Sequence, residues 1–248
     1  MVVLKTSKEL AKMRKAGSIT AQALQAAGAA LQPGITTGEV DRIIKSFIVS
    51  KGAKPSFLGY GGFSGSACIS VNDEVIHGIP GKRVINEGDI VSVDVGAFID
   101  GYHGDSAATF AVGNVSPEAQ ALMDATRDSL SAAIAVAQVG ARIGDISHAV
   151  QSFVEPLGYG VVREYVGHGI GRELHQEPEV PNFGRAGHGV RLMPGMTIAI
   201  EPMINEKSAA IRVLDDKWTV VTADHKLSAH FEHTIAITES GPVILTLP

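Results

Sequence analysis

An internal repeat constrains the fold of this chain more than any other feature of its sequence. Aligned with itself, the chain superimposes Pro33-Gly34 on Val139-Gly140, Gly38-Glu39-Val40 on Gly144-Asp145-Ile146, and Ser46-Phe47-Ile48 on Ser152-Phe153-Val154. Glycines coincide as well as apolar residues, whereas two unrelated amphipathic helices would share only their apolar spacing. We therefore expect one domain over residues 1–248, built from pseudo-symmetric halves of about 1–114 and 115–248.

Each half is predicted to begin with two helices. The segments Thr6–Glu9 and Thr36–Glu39 have the spacing of a capping box, and apolar residues follow both at helical intervals. Pro33-Gly34 stops the first helix, and Ser116-Pro117 supplies an N-cap and a first-turn proline for a helix that reaches about Val139. The predicted order in each half is helix, helix and then strands.

A β-hairpin is the clearest prediction among the strands. The run Ile90–Ile99 continues through Asp100-Gly101 into a segment that ends near Val112, and Asp-Gly between alternating runs is a strong hairpin signal. With that turn, Asp94 faces position 107 and Asp105 is its diagonal neighbour on the same face. A register in which Asp94 pairs directly with Asp105 would also leave both side chains on one face of the hairpin, whereas a bulge would place them on opposite faces.

Two carboxylates so close repel each other and raise each other's pKa unless a cation lies between them. A divalent metal is the simplest explanation for Asp94 and Asp105. The alternative is a pair of solvated aspartates on an exposed face of the hairpin.

The repeat supplies a second pair of carboxylates. One extra residue in the alignment brings Asp94 onto Glu201, which ends the apolar run Thr197–Ile200. Glu232 opens a similar run and corresponds to Asp105 after a longer connection. An ionised carboxylate in a buried strand is costly unless it is paired. Four carboxylates about a pseudo-twofold axis would balance two divalent cations.

A neutral imidazole often completes such a metal site, and His168 is the best candidate among the nine histidines. Glycines flank it on both sides, so backbone can approach a site closely there. An ordinary loop histidine is the alternative.

Composition limits the partners and the compartment. The formal net charge is -5, and the sequence has no basic stripe that would hold a phosphate backbone. Nucleic acid is therefore not expected as a general partner. Neither a signal peptide nor a membrane anchor is expected. The single cysteine, Cys68, cannot form an internal disulfide, which favours a reducing compartment. We expect a cytoplasmic protein.

The four carboxylates and His168 together resemble the ligand set of the methionine aminopeptidases. Motifs along most of the chain carry the resemblance: Asn72–Pro80, Asp94–Asp105, Val166–Arg172, Pro194–Thr197, Ile200–Met203 and Phe231–Thr234. The short interval from Glu201 to Glu232 is similar to that of the bacterial type I enzymes. Prolidases share the fold with a large additional N-terminal domain, for which this chain has no room.

The resemblance implies an α+β pita-bread fold, internally duplicated, with a curved antiparallel sheet covered by helices. It also implies metal-dependent removal of the initiator methionine from nascent proteins whose second residue is small, by attack of a metal-bridging hydroxide. The expected ligands of two divalent ions, which could be Fe, Mn, Co or Zn, are Asp94, Asp105, His168, Glu201 and Glu232.

Further roles are inherited from the same resemblance. Glu201 would handle the proton, His175 would donate a hydrogen bond to the developing oxyanion, and His77 would contact substrate near the scissile bond. The expected wall of the methionine pocket is formed by Tyr60, Phe63, Cys68 and Trp218. The expected partners are N-terminal methionine of new chains and, as a candidate, the ribosome, with the protein itself a monomer.

Several alternatives stay open. His77 could order a loop, His175 could be a solvated residue at a strand end, and Trp218 could be a core residue. Gly61 and Leu174 depart from the bulkier residues of some family members, which leaves the shape of the pocket undecided. The competing function classes are a protein-binding module that kept the fold without catalysis and a dipeptidase related to prolidase.

Overall fold

Residues 2–248, which the computed structural model describes, form helices packed on antiparallel sheets. The helices are α1 (Ser7–Ala30), α2 (Thr37–Ser50), α3 (Pro117–Val136) and α4 (Ile143–Val154). The strands of the first half are β1 (Lys54–Pro55), β2 (Ala67–Val71), β3 (Glu74–Ile76), β4 (Ile90–Ile99) and β5 (Tyr102–Ala111). Those of the second half are β6 (Gly160–Val161), β7 (Gly167–Gly169), β8 (Gln176–Val180), β9 (Thr197–Ile200), β10 (Met203–Asn205), β11 (Ile211–Val213), β12 (Val220–Thr222), β13 (Ser228–His230), β14 (His233–Thr238) and β15 (Gly241–Ile244).

The predicted capping boxes begin α1 and α2. The Thr6 hydroxyl accepts a hydrogen bond from the Glu9 backbone N–H, and the Glu9 carboxylate accepts one from the Thr6 N–H at 2.9 Å. Thr36 and Glu39 repeat this exchange at the start of α2. Helix α3 begins at Pro117 as predicted but ends at Val136, a little before the predicted position near Val139.

The repeat is visible in the backbone. Gly34 and Gly140, which the alignment superimposes, each donate an N–H to a carbonyl in the segment that precedes β4 or β9. Gly88 and Gly195 both adopt left-handed conformations, with φ of 88° and 89°. Glycine is the residue that takes this conformation without strain. The two halves therefore position their helix pair relative to their central strand in the same way.

Each half has its own hydrophobic core. Residues of α1, α2, β2 and β4 form one core, and residues of α3, α4, β9 and β14 form the other. A smaller apolar cluster joins parts of both halves and includes Phe63, Cys68 and Leu174. Within residues 2–248, no helix has the length and apolar character needed to cross a membrane.

The hairpin of β4 and β5 has the register that its sequence predicts. Asp100 and Gly101 form the two-residue turn, with φ of 53° and 85°. Positive φ at both turn residues is typical of type I′ hairpins. Asp94 lies opposite Ala107, so Asp94 and Asp105 are diagonal neighbours on one face. The first pair of carboxylates is thus placed by local sequence signals.

Candidate metal centre and adjoining cavity

The centre lies where the two halves meet, at the contact of β5 with the start of β14. The Asp105 N–H donates to the Thr234 hydroxyl at 3.2 Å, and that hydroxyl donates to the Asp105 carbonyl at 2.8 Å. The Glu232 N–H donates to the Ala107 carbonyl at 2.9 Å. These bonds bring the buried side chains of Asp105 and Glu232 side by side, although they come from different halves.

Strand β7 brings His168 to the same place, and Glu201 follows the last residue of β9. His168 Nε2 is 3.5 Å from Glu201 Oε1 and 3.9 Å from Asp105 Oδ2. His168 Nδ1 is 2.9 Å from the Gly169 carbonyl oxygen. A carbonyl oxygen can only accept, so Nδ1 carries the hydrogen and Nε2 presents a lone pair to the carboxylates. Lone pairs that face each other in this way suit a bound cation.

The donor atoms fit a divalent metal. Ligand atoms of Asp105, His168 and Glu232 all lie within 4.8 Å of one another. Among the described residues, no hydrogen-bond partner is found for the buried oxygens Asp94 Oδ1, Asp105 Oδ1 and Glu232 Oε1. Buried polar atoms are almost always paired, so these three oxygens point to a ligand that the protein itself does not supply.

The carboxylates are strongly perturbed. Burial raises the pKa of Asp94 to about 7. Burial also raises the pKa of Asp105, Glu201 and Glu232 well above the ordinary range, and neighbouring carboxylates raise it further. Burial lowers the pKa of His168 to about 3, so this imidazole is neutral at pH 7. The neutral imidazole is the form that binds a metal, whereas the carboxyl groups must lose their protons when a metal binds.

We expect the buried carboxyl groups to make the metal-free protein less stable as pH rises from about 5 to about 7, between the ordinary pKa of a carboxyl group and the pKa of about 7 of Asp94. Asp105, Glu201 and Glu232 have pKa values in the folded state well above their ordinary values. The folded state therefore keeps protons that the unfolded chain has already lost, and stability falls with rising pH by about 1.4 kcal/mol per pH unit for each such proton. Unfolded histidines, with an ordinary pKa of about 6.5, bind protons in the same window and oppose this trend, so the carboxyl effect is read as the difference between the unmodified protein and Asp105→Asn.

Urea unfolding at both pH values, with a chelator and with added divalent metal, measures this effect. Metal should weaken or reverse the decline, because ligated carboxylates are ionised. Asp105→Asn should reduce the slope in the metal-free protein. The same dependence of stability on pH in metal-free Asp105→Asn and in the metal-free unmodified protein would contradict the prediction.

A cavity of about 240 Å³ opens directly onto the centre. Every residue predicted for the metal set, the catalytic set and the methionine pocket lines this cavity: Asp94, Asp105, His168, Glu201, Glu232, His77, His175, Tyr60, Phe63, Cys68 and Trp218. The structure thus brings all of them together, while their individual roles stay predictions. The lining also includes four residues that were not predicted: Phe57, Ile76, Tyr165 and Val166.

The two further histidines lie on the cavity wall. His77 has a left-handed backbone, with φ of 59°, and its ring makes edge contacts with Tyr165 and Trp218 at centroid distances of 5.4 and 6.2 Å. Burial lowers the pKa of His77 to about 4. The ring of His175 is 4.3 Å from that of His168. Both histidines are therefore close enough to the centre to contact a substrate bound there.

His230 was missed by the analysis of the sequence. It is 2% exposed, its Nε2 is 3.9 Å from Glu201 Oε2, and no hydrogen-bond partner of that nitrogen lies within the described part of the chain. Burial lowers its pKa to about 3. His230 precedes Glu232 by two residues, so alternation along an extended segment could have placed both side chains on one face.

Comparisons with known proteins agree with this geometry. Residues 11–239 match the metallopeptidase family M24. The chain is 52% identical over 246 residues to methionine aminopeptidase 1 of Bacillus subtilis, with 99% of each chain covered. The crystal structure of methionine aminopeptidase from Thermotoga maritima is similar with a TM-score of 0.99 and 47% identity, and both chains are covered in full. The prolidase from Pyrococcus horikoshii has a TM-score of 0.82 and 25% identity, and the match covers 100% of this chain and 64% of the prolidase.

Proposed function

The chain belongs to the metallopeptidase family M24 and, within it, to the methionine aminopeptidases, and we propose that the carboxylate and histidine cluster is its catalytic metal centre. The enzyme is a metal-dependent hydrolase that removes N-terminal methionine. One observation carries the assignment of the centre: three buried carboxylate oxygens, for which residues 2–248 offer no hydrogen-bond partner, share a cavity with the lone pair of His168 Nε2.

The proposed ligands are Asp94, Asp105, His168, Glu201 and Glu232. Together these five side chains would hold two divalent ions. An oxygen-rich set with one imidazole suits manganese, iron, cobalt or zinc, and four carboxylates balance the charge of two divalent ions. Such ions, when bound, lower the pKa of a coordinated water to about 7 and polarise a scissile carbonyl.

The apolar part of the cavity would take the methionine side chain. Phe63 and Trp218 meet there edge to face at a centroid distance of 5.2 Å, and Leu174 is buried beside them. The cavity of about 240 Å³ is smaller than the roughly 300–1,000 Å³ of drug-sized ligand sites, which supports binding of a single residue. Cys68 lies opposite Asp94 in the sheet, so the apolar wall and the metal centre adjoin.

Three side chains would act on the substrate itself. Glu201 would take the proton of the attacking water and pass one to the leaving amine. His175 would donate a hydrogen bond to the oxygen that gains negative charge, and His77 would contact the substrate near the scissile bond. The proposal also includes a small second residue in the substrate, a monomeric protein, a cytoplasmic location and contact with the ribosome.

The test is release of methionine from a Met-Ala peptide by protein that has been stripped with a chelator and then reloaded with one divalent metal at a time. We expect release with metal and none without it. An X-Pro dipeptide serves as the parallel substrate, since a dipeptidase would prefer it. Folded protein that fails to release methionine with every metal tried would favour the non-catalytic binding module instead.

A further inference from the structure

Tyr60 makes a contact that a pocket wall alone does not require. Its hydroxyl is 2.7 Å from His175 Nδ1, and the two rings lie 5.2 Å apart at 56°. Phe63 lies near Tyr60 in the same cavity wall and carries no hydroxyl. Position 60 therefore adds a polar group that is directed at one histidine.

The backbone around Tyr60 holds this hydroxyl in place. The Tyr60 N–H donates to the Phe57 carbonyl at 2.9 Å, and the Tyr60 carbonyl accepts from the Phe63 N–H at 2.9 Å. Gly59 and Gly61 on either side adopt left-handed conformations, with φ of 85° and 55°. This closed turn fixes the backbone of Tyr60, and the contact with His175 orients its ring, although the residue is 46% exposed.

The chemistry of the pair decides which atom donates. A phenol, with an ordinary pKa of about 10, is a far stronger acid than the N–H of a neutral imidazole, and an imidazole nitrogen is a stronger base than a phenol oxygen. The favoured bond therefore runs from the Tyr60 O–H to Nδ1. A neutral imidazole has one donor and one acceptor nitrogen, so Nε2 of His175 must then carry the hydrogen.

We propose that Tyr60 is a positioning residue that holds His175 in the tautomer with hydrogen on Nε2, ready to donate to a carbonyl oxygen in the cavity. The inference rests on the proposed function in one respect, the role of His175 as a donor to the substrate. Without the hydroxyl, either nitrogen of His175 could carry the hydrogen, and part of the population would present a lone pair to the oxyanion.

The tautomer can be read by nitrogen NMR of the full chain, labelled with ¹⁵N-histidine and loaded with zinc, which is diamagnetic. Protonated and bare imidazole nitrogens resonate far apart, and His175→Gln assigns the signals. In the unmodified protein we expect a bare Nδ1 and a protonated Nε2, and in Tyr60→Phe we expect both signals to move towards each other. Ser56→Ala is the matched control, because Ser56 Oγ lies 2.8 Å from Nδ1 of His103 and should leave the His175 signals in place.

Kinetics with a Met-Ala peptide complete the test. Tyr60→Phe keeps the ring and should lower kcat roughly two- to tenfold, the range for one neutral hydrogen bond, with a smaller change in KM. Phe63→Leu, a wall variant without a polar partner, should act mainly on KM. A protonated Nδ1 in the unmodified protein, unchanged His175 signals in Tyr60→Phe, or shifted signals with an unchanged kcat would each overturn the proposal. Zinc-loaded protein with the expected signals and no peptidase activity under any metal would instead overturn the proposed function.

Discussion

Replacing Glu201 with glutamine is expected to lower kcat for a Met-Ala peptide by roughly 10²- to 10⁴-fold, the usual contribution of general acid–base catalysis. The carboxylate lies between two imidazoles, with Oε1 3.5 Å from His168 Nε2 and Oε2 3.9 Å from His230 Nε2. Its backbone carbonyl accepts a hydrogen bond from the Asn182 side chain at 3.0 Å, which fixes its position. An amide of the same shape can still offer an oxygen to a metal, but it cannot accept the proton of water.

The measurement pairs kcat at saturating metal with elemental analysis of the bound metal. Glu206→Gln is the matched control, because this carboxylate accepts a hydrogen bond from the Leu227 N–H and does not line the cavity. We expect the control to keep its activity. Glu201→Gln with full metal content and a kcat close to that of the unmodified protein would remove the proton-handling role. Activity that returns once metal is raised to saturation would leave Glu201 as a ligand alone.

The part of the centre that local sequence could predict is the part made by neighbouring strands. Asp94 and Asp105 share a face because a two-residue turn and an alternating pattern set the register of one hairpin, and the structure has that register. The capping boxes of α1 and α2 are equally local, and both are present. Signals of this kind depend on residues a few positions apart, so they can be recognised in the sequence without knowledge of the tertiary fold.

The meeting of the halves could not be predicted in the same way. His168 approaches Glu201 because Gly169 of β7 pairs with Ile198 of β9, residues far apart in sequence. Asp105 lies beside Glu232 because Thr234 and Asp105 exchange hydrogen bonds across the two halves. The repeat indicated that such a meeting should exist, and the family resemblance identified the partners. Neither indicated His230, which only its alternation with Glu232 along the extended segment could have placed on the same face.

The cavity wall shows the same limit. Tyr60 and Phe63 come from one turn and Trp218 from another loop, and their contacts depend on how β2, the turn at Gly59 and the segment before β12 pack together. Family resemblance named these residues, but it could not show that the hydroxyl of Tyr60 lies against His175. Contacts between loop side chains are set by tertiary packing, so they become visible only in the structure.

His175→Ala should lower kcat roughly 10²- to 10³-fold while metal content stays unchanged, as expected for removal of one donor to an oxyanion. The ring lies 4.3 Å from that of His168 and lines the same cavity, but the cluster of possible ligand atoms is formed by other residues. Burial lowers the pKa of His175, which keeps the ring neutral and able to donate from one nitrogen at pH 7. The loss should fall on kcat more than on KM, because the negative charge develops only in the transition state.

The control for this variant is His188→Ala, since His188 is exposed and its Nδ1 lies 3.2 Å from the nearby carbonyl of Ala186. Its kcat and metal content should match those of the unmodified protein. A His175→Ala protein that is folded, fully loaded and equally active would exclude His175 as an oxyanion donor. Loss of metal in step with loss of activity would show that His175 supports metal binding and does not act on the substrate, because only a ligand or its direct support changes metal affinity in that way.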